Sequence, residues 1–375
     1  PIKSSAASDV YKRQKNQIMS RYVINRKDLD ENIEIIKKKA GVPLIGVVKG
    51  NGYGFGIKEL TSVLLQHGIK TFAVTEVTDI PELKEILLDE DILVMRSTCL
   101  ENEAEIVAKN GAIATIGSLR AAQVMNAVSE ELGVVTKCHL KIDTGMGRYG
   151  FMPSQVADAV KCYSLPNLKF IGAYTHFSSA FRNKELTKAQ LVMFKDTMAQ
   201  IQKEVGDVGI LHCANSPALL NVDNVSLDTV RIGSAFTGRV ITRSKSGLHR
   251  LGSLQAEVVE TKTVPKGYSI GYNGLYKTKH ETEVAIVPIG HYDGFGLTKE
   301  KEFYDFRYVL SVFKRFLKKQ QMYVKINGRM YHVIGEIGLS HCAVDVAGGG
   351  VKVGDTASVD ISPLMVNPRL ERVFE

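Results

Sequence analysis

From Arg21 to about Ile241 the chain alternates short apolar runs with longer amphipathic stretches. The runs end near Lys49 and then at TFAVTE (71–76), ILVMR (92–96), AIATIG (112–117), CHLKID (138–143), FIGAYTHF (170–177), GILHCANS (209–216) and DTVRIGS (228–234). Between them, Arg26 to Lys39, Ile57 to His67, Glu101 to Lys109, Leu119 to Leu132 and Lys188 to Glu204 carry apolar residues at roughly helical spacing. Strands alternating with helices build a parallel sheet, and about eight such strands predict an α/β fold, a (β/α)8 TIM barrel over residues 19–240. An open doubly wound sheet would gather its unusual residues at one switch point. Here they fall at the C-terminal ends of many strands, where barrels place their sites.

Beyond Ile241 the pattern becomes β-rich, with turn signals between LQAEVVETKTV, ETEVAIVPIG, MYVKINGRMYHVIGEIG, CAVDVAG and DTASVDIS. It predicts a mainly antiparallel β domain over residues 241–375. Inside it, the basic stretch 299–321 includes KEFYDFRYVLSVFKRFLKKQQ, which has helical periodicity. It reads as a solvated helix or inserted loop, with docking on a membrane or partner as the alternative. The polar opening PIKSSAASDVYKRQKNQ has no apolar period, so residues 1–18 are expected to be a disordered leader, native or appended.

Composition narrows the classes. A chain of 375 residues, 44% hydrophobic and 23% charged, can bury a substantial core. No apolar run approaches a membrane span and no signal-peptide pattern is present, so cytoplasm is the expected location and no membrane partner is expected. Five scattered cysteines without a C-x-x-C spacing indicate neither a disulfide framework nor a zinc site, and no metal is expected. The net charge of +8 comes from bases interleaved with acids and without a nucleic-acid motif, which leaves anionic small molecules as the partners it suits.

The chemistry concentrates where strands end. PLIGVV (43–48) reads as a buried strand, in which an unpartnered ammonium would cost several kcal/mol, so Lys49 belongs at its end. The glycines of GVVKGNGYGFG fit neither phosphate-loop signature: a Walker loop places lysine after its glycines, and the spacing G-x-G-x-x-G fails from Gly50 and from Gly52. A lysine partly desolvated at a barrel mouth can lose its proton and form a Schiff base with an aldehyde, which makes pyridoxal 5'-phosphate the candidate cofactor. That cofactor needs a phosphate cradle and a group facing its ring nitrogen. Asn215 and Ser216 in CANSPA, and Arg231, Gly233 and Ser234 in VRIGS, are the candidates for both.

The segments VVKGNGYGFG, HLKIDTGMGRYGF, YTHFSSA, HCANSPALL, VRIGSAFTG, SIGYNGLY and VPIGHYDGF resemble, in order and at approximate spacing, the motifs of the alanine racemase family, from about Arg21 to the C-terminus. The resemblance implies a barrel followed by a β domain, and a role for each matching residue. Lys49 resembles the lysine that carries the cofactor, and Tyr53 the tyrosine at its phosphate. Lys141 and Arg148 resemble the pair near the cofactor oxygen and substrate carboxylate, where the family lysine is often carbamylated. His176 resembles the ring-stacking or supporting histidine, Ser216 the phosphate serine, and Arg231 the partner of the pyridine nitrogen. Tyr272 resembles the second base, which in the family comes from the other subunit, so a homodimer acting on a small amino acid is implied. Two bases on opposite faces are what inversion at the α-carbon requires. An arginine that never gives up its proton leaves the ring a weaker electron sink, which restrains transamination.

Several positions depart from the family pattern. KANAYGHG is here KGNGYGFG, with Gly50, Gly52 and Phe55 substituted. The Met-Asp and the arginine of the late GR motif are Leu339-Ser340 and Glu336, and Leu339 takes the matching substrate-side position. Phe181 stands for an aspartate, His291 for a tyrosine and Pro368 for a tyrosine at the phosphate. Racemisation of serine or another amino acid therefore stays open beside alanine. So do a D-amino-acid aldolase or dehydratase, and a cofactor-binding homeostasis protein without turnover.

Overall fold

The computed structural model describes residues 20–242, 246–274, 276–297, 310 and 321–375. The expected leader over 1–18 and almost all of the basic stretch 299–321 lie outside the described residues. The chain forms two compact units, Arg26–Leu251 and a second that joins Gly252–Glu375 to the N-terminal strand β1 (Ser20–Ile24).

The first unit carries eight parallel strands: β2 (Leu44–Val47), β3 (Thr71–Val74), β4 (Asp91–Val94), β5 (Ala114–Ile116), β6 (Thr136–Lys141), β7 (Leu168–Tyr174), β8 (Ile210–His212) and β9 (Val230–Ile232). They hydrogen-bond as two sheets, β4-β3-β2-β9 and β5-β6-β7-β8. Parallel bridges at Leu93↔Ile113 and His212↔Thr229 close both seams, and the two sheets become one barrel. Ile45, Val47, Ala73, Leu93 and Ile113 form one buried cluster of its strands, because a strand covered on both faces must be apolar throughout.

The helices outside bury the faces their periodicity marks. Arg26–Ala40 buries Leu29, Ile33 and Ile36. The longest helix among the described residues, Lys184–Val205, begins four residues before the apolar period does, because Asn183 caps it by accepting from the Leu186 amide. Its exposed start is thus anchored by hydrogen bonding, and burial begins at Thr187.

The second unit adds β10 (Ser253–Glu257), β11 (Glu260–Val264), β12 (Ser269–Ile270), β13 (Tyr276–Lys277), β14 (Thr282–Val287), β15 (Tyr323–Ile326), β16 (Arg329–Ile334), β17 (Cys342–Asp345), β18 (Thr356–Val359) and β19 (Arg372–Phe374). The short strands β12 and β13 pair with each other, and the rest join β1 in a nine-stranded sheet of order β11-β14-β17-β16-β15-β18-β10-β1-β19. All pairings of that sheet are antiparallel except β1 with β19. One expectation needs correction here. Ser20–Ile24, which the sequence assigns to the barrel, pairs with β10 and β19, so the β domain is discontinuous in sequence and the boundaries fall at Asn25 and Leu251. Strand pairing is a long-range choice that the local pattern of SRYVI does not carry. Tyr22 secures it with a hydrogen bond from its hydroxyl to the Ile361 carbonyl (2.9 Å).

Candidate active site

Lys49 leaves β2 at the barrel mouth and is followed by a turn of left-handed backbone: φ is 62° at Gly50, 53° at Asn51, 60° at Gly52 and 54° at Tyr53. An L-residue with a Cβ pays about 1–2 kcal/mol for that conformation, which explains why glycine and asparagine occupy three of the four positions. Far from being loose, the turn is hydrogen-bonded. The Gly52 amide donates to the Val48 carbonyl (2.8 Å), and the Asn51 side chain accepts from the Ile57 amide (2.9 Å). Tyr53 bears the strain, and it interlocks with the end of β9. Its hydroxyl bonds to the Ser234 backbone, and a Cβ added to Gly233 would lie 2.3 Å from its ring. Burial pushes the phenol up to about 12, so it stays protonated.

Arg231, on β9, is 2% exposed, and four acceptors hold its two terminal nitrogens. NH1 donates to His212 Nδ1 (2.6 Å) and to the His212 carbonyl (3.2 Å); NH2 donates to the carbonyls of Thr175 (2.7 Å) and Cys213 (3.2 Å). Tyr174 lies beneath, its ring 4.7 Å from the guanidinium carbon and stacked on His212 at 4.9 Å, its hydroxyl fixed by Thr115 and the Met95 carbonyl. No carboxylate is among these partners, and the buried Nε–H has no acceptor among the described residues. A cation held this way asks for an external acceptor.

More positive charge stands nearby. A cavity of about 210 Å³ is lined by Lys49, Lys141, Arg148, Tyr174 and His176. Burial, reinforced by Arg231 and Arg148, lowers the Lys141 ammonium to about 7, and burial followed by Arg148 and Arg231 lowers Lys49. His176 is driven well below the usual imidazole range by burial and then Arg231, so it is neutral; its Nε2 lies 3.4 Å from Asn215 Nδ2. The loop after β6 that carries Arg148 is wound around Asp143. Burial works to raise that carboxyl, but amides of Gly145, Met146, Gly147 and Arg148 all donate to it and hold it below the ordinary range.

Next to this cluster Ser216 Oγ accepts from the amides of Gly233 and Ala235 (both 3.2 Å), and Asn215 caps the short helix Ser216–Asn221 through the Ala218 amide. Lys49, Tyr53, Lys141, Arg148, His176, Asn215, Ser216, Arg231, Gly233 and Ser234 therefore all belong to the first unit, at the C-terminal ends of its strands. They fit a phosphorylated heteroaromatic aldehyde: an amine that can be neutral, a surplus of cations for the anionic group, and an unpaired N–H for a ring lone pair.

Tyr272 and Leu339 belong to the second unit, where both line a cavity of about 450 Å³ with Glu336, Ser340 and His341. Tyr272 is 70% exposed and Leu339 67%. Tyr272 opens a tight turn in which Asn273 takes φ 59° and donates from Nδ2 to Glu336 (3.3 Å). Pro368 is exposed in the same unit, and Phe181 is half-buried in the first. Sequence reasoning missed Tyr174, Asp143, His139 and His212 as parts of the polar interior. A run of polar residues, CHLKID and YTH, inside strands otherwise apolar was the available signal. It also missed the Arg96 side chain on the cavity wall, bonded to Glu103 (2.7 Å).

The chain resembles known proteins of one family over both units. Residues 24–240 match the family model "Alanine racemase, N-terminal domain", and residues 251–363 match "Alanine racemase, C-terminal domain". The chain is 31% identical over 324 residues to an alanine racemase of Methanococcus maripaludis, covering 84% of this chain and 81% of that one. It is 29% identical over 342 residues to one of Clostridium novyi, covering 88% and 83%. The structure superposes on an alanine racemase of Clostridium difficile with a TM-score of 0.85 at 25% identity, covering 96% of both chains. It also shares its fold, at a TM-score of 0.77 and 19% identity over 95% and 98% of the two chains, with an alanine racemase of Bartonella henselae solved with covalently bound pyridoxal phosphate.

Proposed function

The chain belongs to the alanine racemase family, and from that premise we propose that it interconverts L- and D-alanine, with pyridoxal 5'-phosphate bound through Lys49 at the barrel mouth. The observation that carries the site assignment is the pairing of a lysine whose burial lowers its proton affinity with a buried Arg231 whose Nε–H lacks an acceptor. The cofactor supplies the electron sink that makes the α-proton acidic; the protein's own groups decide where that proton goes.

In this reading Lys49 takes or returns the proton at one face of the α-carbon and Tyr272 at the other. Arg148, with Lys141 beside it, receives the substrate carboxylate. Arg231 would offer its free Nε–H to the ring nitrogen and, being unable to release its proton, would keep that nitrogen unprotonated. Ser216, Tyr53 and the backbone of Gly233 and Ser234 would hold the phosphate, and His176, 3.4 Å from Asn215, would support the ring. We take the functional form to be a homodimer in which Tyr272 serves the other copy's Lys49. Exposure of Tyr272 supports this, since a lone phenol on a surface has nothing to act on.

The place of action we propose is the cytoplasm. All five cysteines are free, and among the described residues no helix is long and apolar enough to cross a membrane. A pure cofactor carrier has no use for the second unit or for Tyr272, and both family domains are present.

Lys49→Ala should abolish the visible absorbance of the bound cofactor and lower racemisation by several orders of magnitude. Unchanged absorbance in that variant refutes the lysine assignment. The reaction itself is read by α-proton exchange of L- and D-alanine in heavy water with chiral analysis. Exchange with inversion is expected, and exchange without inversion contradicts the racemase reading.

A further inference from the structure

Arg231 does not end its hydrogen-bond chain at His212. His212 Nε2 lies 2.9 Å from Nδ1 of His139, a residue of β6 that is 1% exposed and two places before Lys141. The rings meet edge-on, 5.0 Å apart. Beyond them, His139 Nε2 is buried and has no partner among the described residues.

Every proton in this chain is determined by its first member. A guanidinium NH1 can only donate, so His212 Nδ1 must accept. His212 then carries its proton on Nε2 and donates it to His139 Nδ1, which leaves the His139 proton on Nε2. An imidazolium at His212 would set two donors face to face. One at His139 would leave His212 no proton on either nitrogen. Only the doubly neutral, doubly Nε2–H arrangement remains, and burial followed by the charge of Arg231 lowers both rings accordingly, His139 to about 4.

We infer that His139 is a positioning residue for Arg231, acting through His212. Two features of the barrel admit it. The register of β6 against β7 slips between Cys138 and His139. Gly172, on β7, leaves the ring its space, since a Cβ there would lie 2.8 Å from His139 Nε2 and 2.8 Å from the Ile210 carbonyl. An aliphatic side chain at 139 would avoid a buried, unpaired N–H, yet this chain keeps the histidine. Without its Nδ1, the Nε2–H of His212 would be buried and unpaired, and the ring that accepts from Arg231 would lose its anchor on the far side. The inference rests on the proposed role of Arg231 toward the cofactor ring for its catalytic consequence, while the proton arrangement stands on the geometry alone.

Two measurements test it. In the cofactor-free, 15N-labelled protein, NMR of the imidazoles should find His139 and His212 neutral with the proton on Nε2 from pH 6 to 8. A proton on His212 Nδ1, or either ring charged at pH 7, overturns the relay. In the loaded enzyme, the number of racemisations per transamination event should fall on the order of tenfold in His139→Leu and recover in His139→Asn, whose side-chain oxygen can accept in place of Nδ1. A folded His139→Leu with an unchanged ratio overturns the positioning role. If His139→Leu does not fold, the NMR result and the ratio in His139→Asn decide. A wild-type protein that fails to racemise alanine would instead strike the functional reading, and the NMR spectra would still decide the relay.

Discussion

Lys141 is the residue at which burial and charge act together most visibly. It is 3% exposed, its Nζ lies 4.9 Å from the Tyr174 ring centre, and Arg231 and Arg148 repel its ammonium. Its folded pKa is about 7, below the ordinary lysine value. Between these values the unfolded chain holds a proton that the folded one has shed, so folding stability rises with pH across that window. The cofactor-free protein should therefore gain up to about 1.4 kcal/mol per pH unit from this lysine between pH 7 and 10. Denaturant titrations of wild type and Lys141→Met should diverge over that range, and parallel curves would contradict the depressed pKa. Below pH 7 the group is charged in both states, and the desolvation cost is borne by the fold.

At the scale of an element, the left-handed turn after Lys49 is the feature that local preference could not place. The family pattern has alanine where this chain has Gly50 and Gly52. In this turn an alanine at either place would be strained, but not equally. A Cβ at Gly50 meets nothing within 4 Å, whereas at Gly52 it would come within 3.3 Å of the Ile57 amide nitrogen and of Leu60 Cβ. Gly50→Ala should cost about 1 kcal/mol, from backbone conformation alone. Gly52→Ala should cost about 2–3 kcal/mol, because crowding adds to it. Chemical denaturation reads both, and two neutral substitutions would mean that the turn is not left-handed. The helix Lys184–Val205 makes the complementary point, since a cap at Asn183 extends it past the reach of its apolar stripe.

For the whole molecule, the proposed division of labour places Lys49 in one unit and Tyr272 in the other, with catalysis across two copies. Mixing makes this testable. Lys49→Ala and Tyr272→Phe homodimers should each be impaired, and subunit exchange should restore about a quarter of wild-type activity per site, because half of the dimers are hybrids and each hybrid has one intact site. No recovery on exchange would mean that each chain uses its own tyrosine, or that the dimer is not the functional form. Tyr272→Phe alone should depress α-proton exchange from one enantiomer far more than from the other.

The βα alternation, the number of barrel strands, the β-rich remainder and the candidate groups at the strand ends were legible in the sequence, since each rests on local signals: apolar period, turn residues and chemically unusual groups; Tyr174 and Arg96 of the cavity wall were not. The assignment of β1 was not legible, because SRYVI would pair equally well in either sheet by pattern and only long-range packing against β10 and β19 selects one. Nor was the relay from Arg231 through His212 to His139, whose three members lie on β9, β8 and β6. His139 and His212 stand on strands that flank β7 in one sheet, and Arg231 joins them only because the barrel closes between β8 and β9. Sequence alone determined which groups could do the chemistry; closure of the barrel decided that the guanidinium would be buried without a carboxylate, with its Nε–H left for a ligand to satisfy.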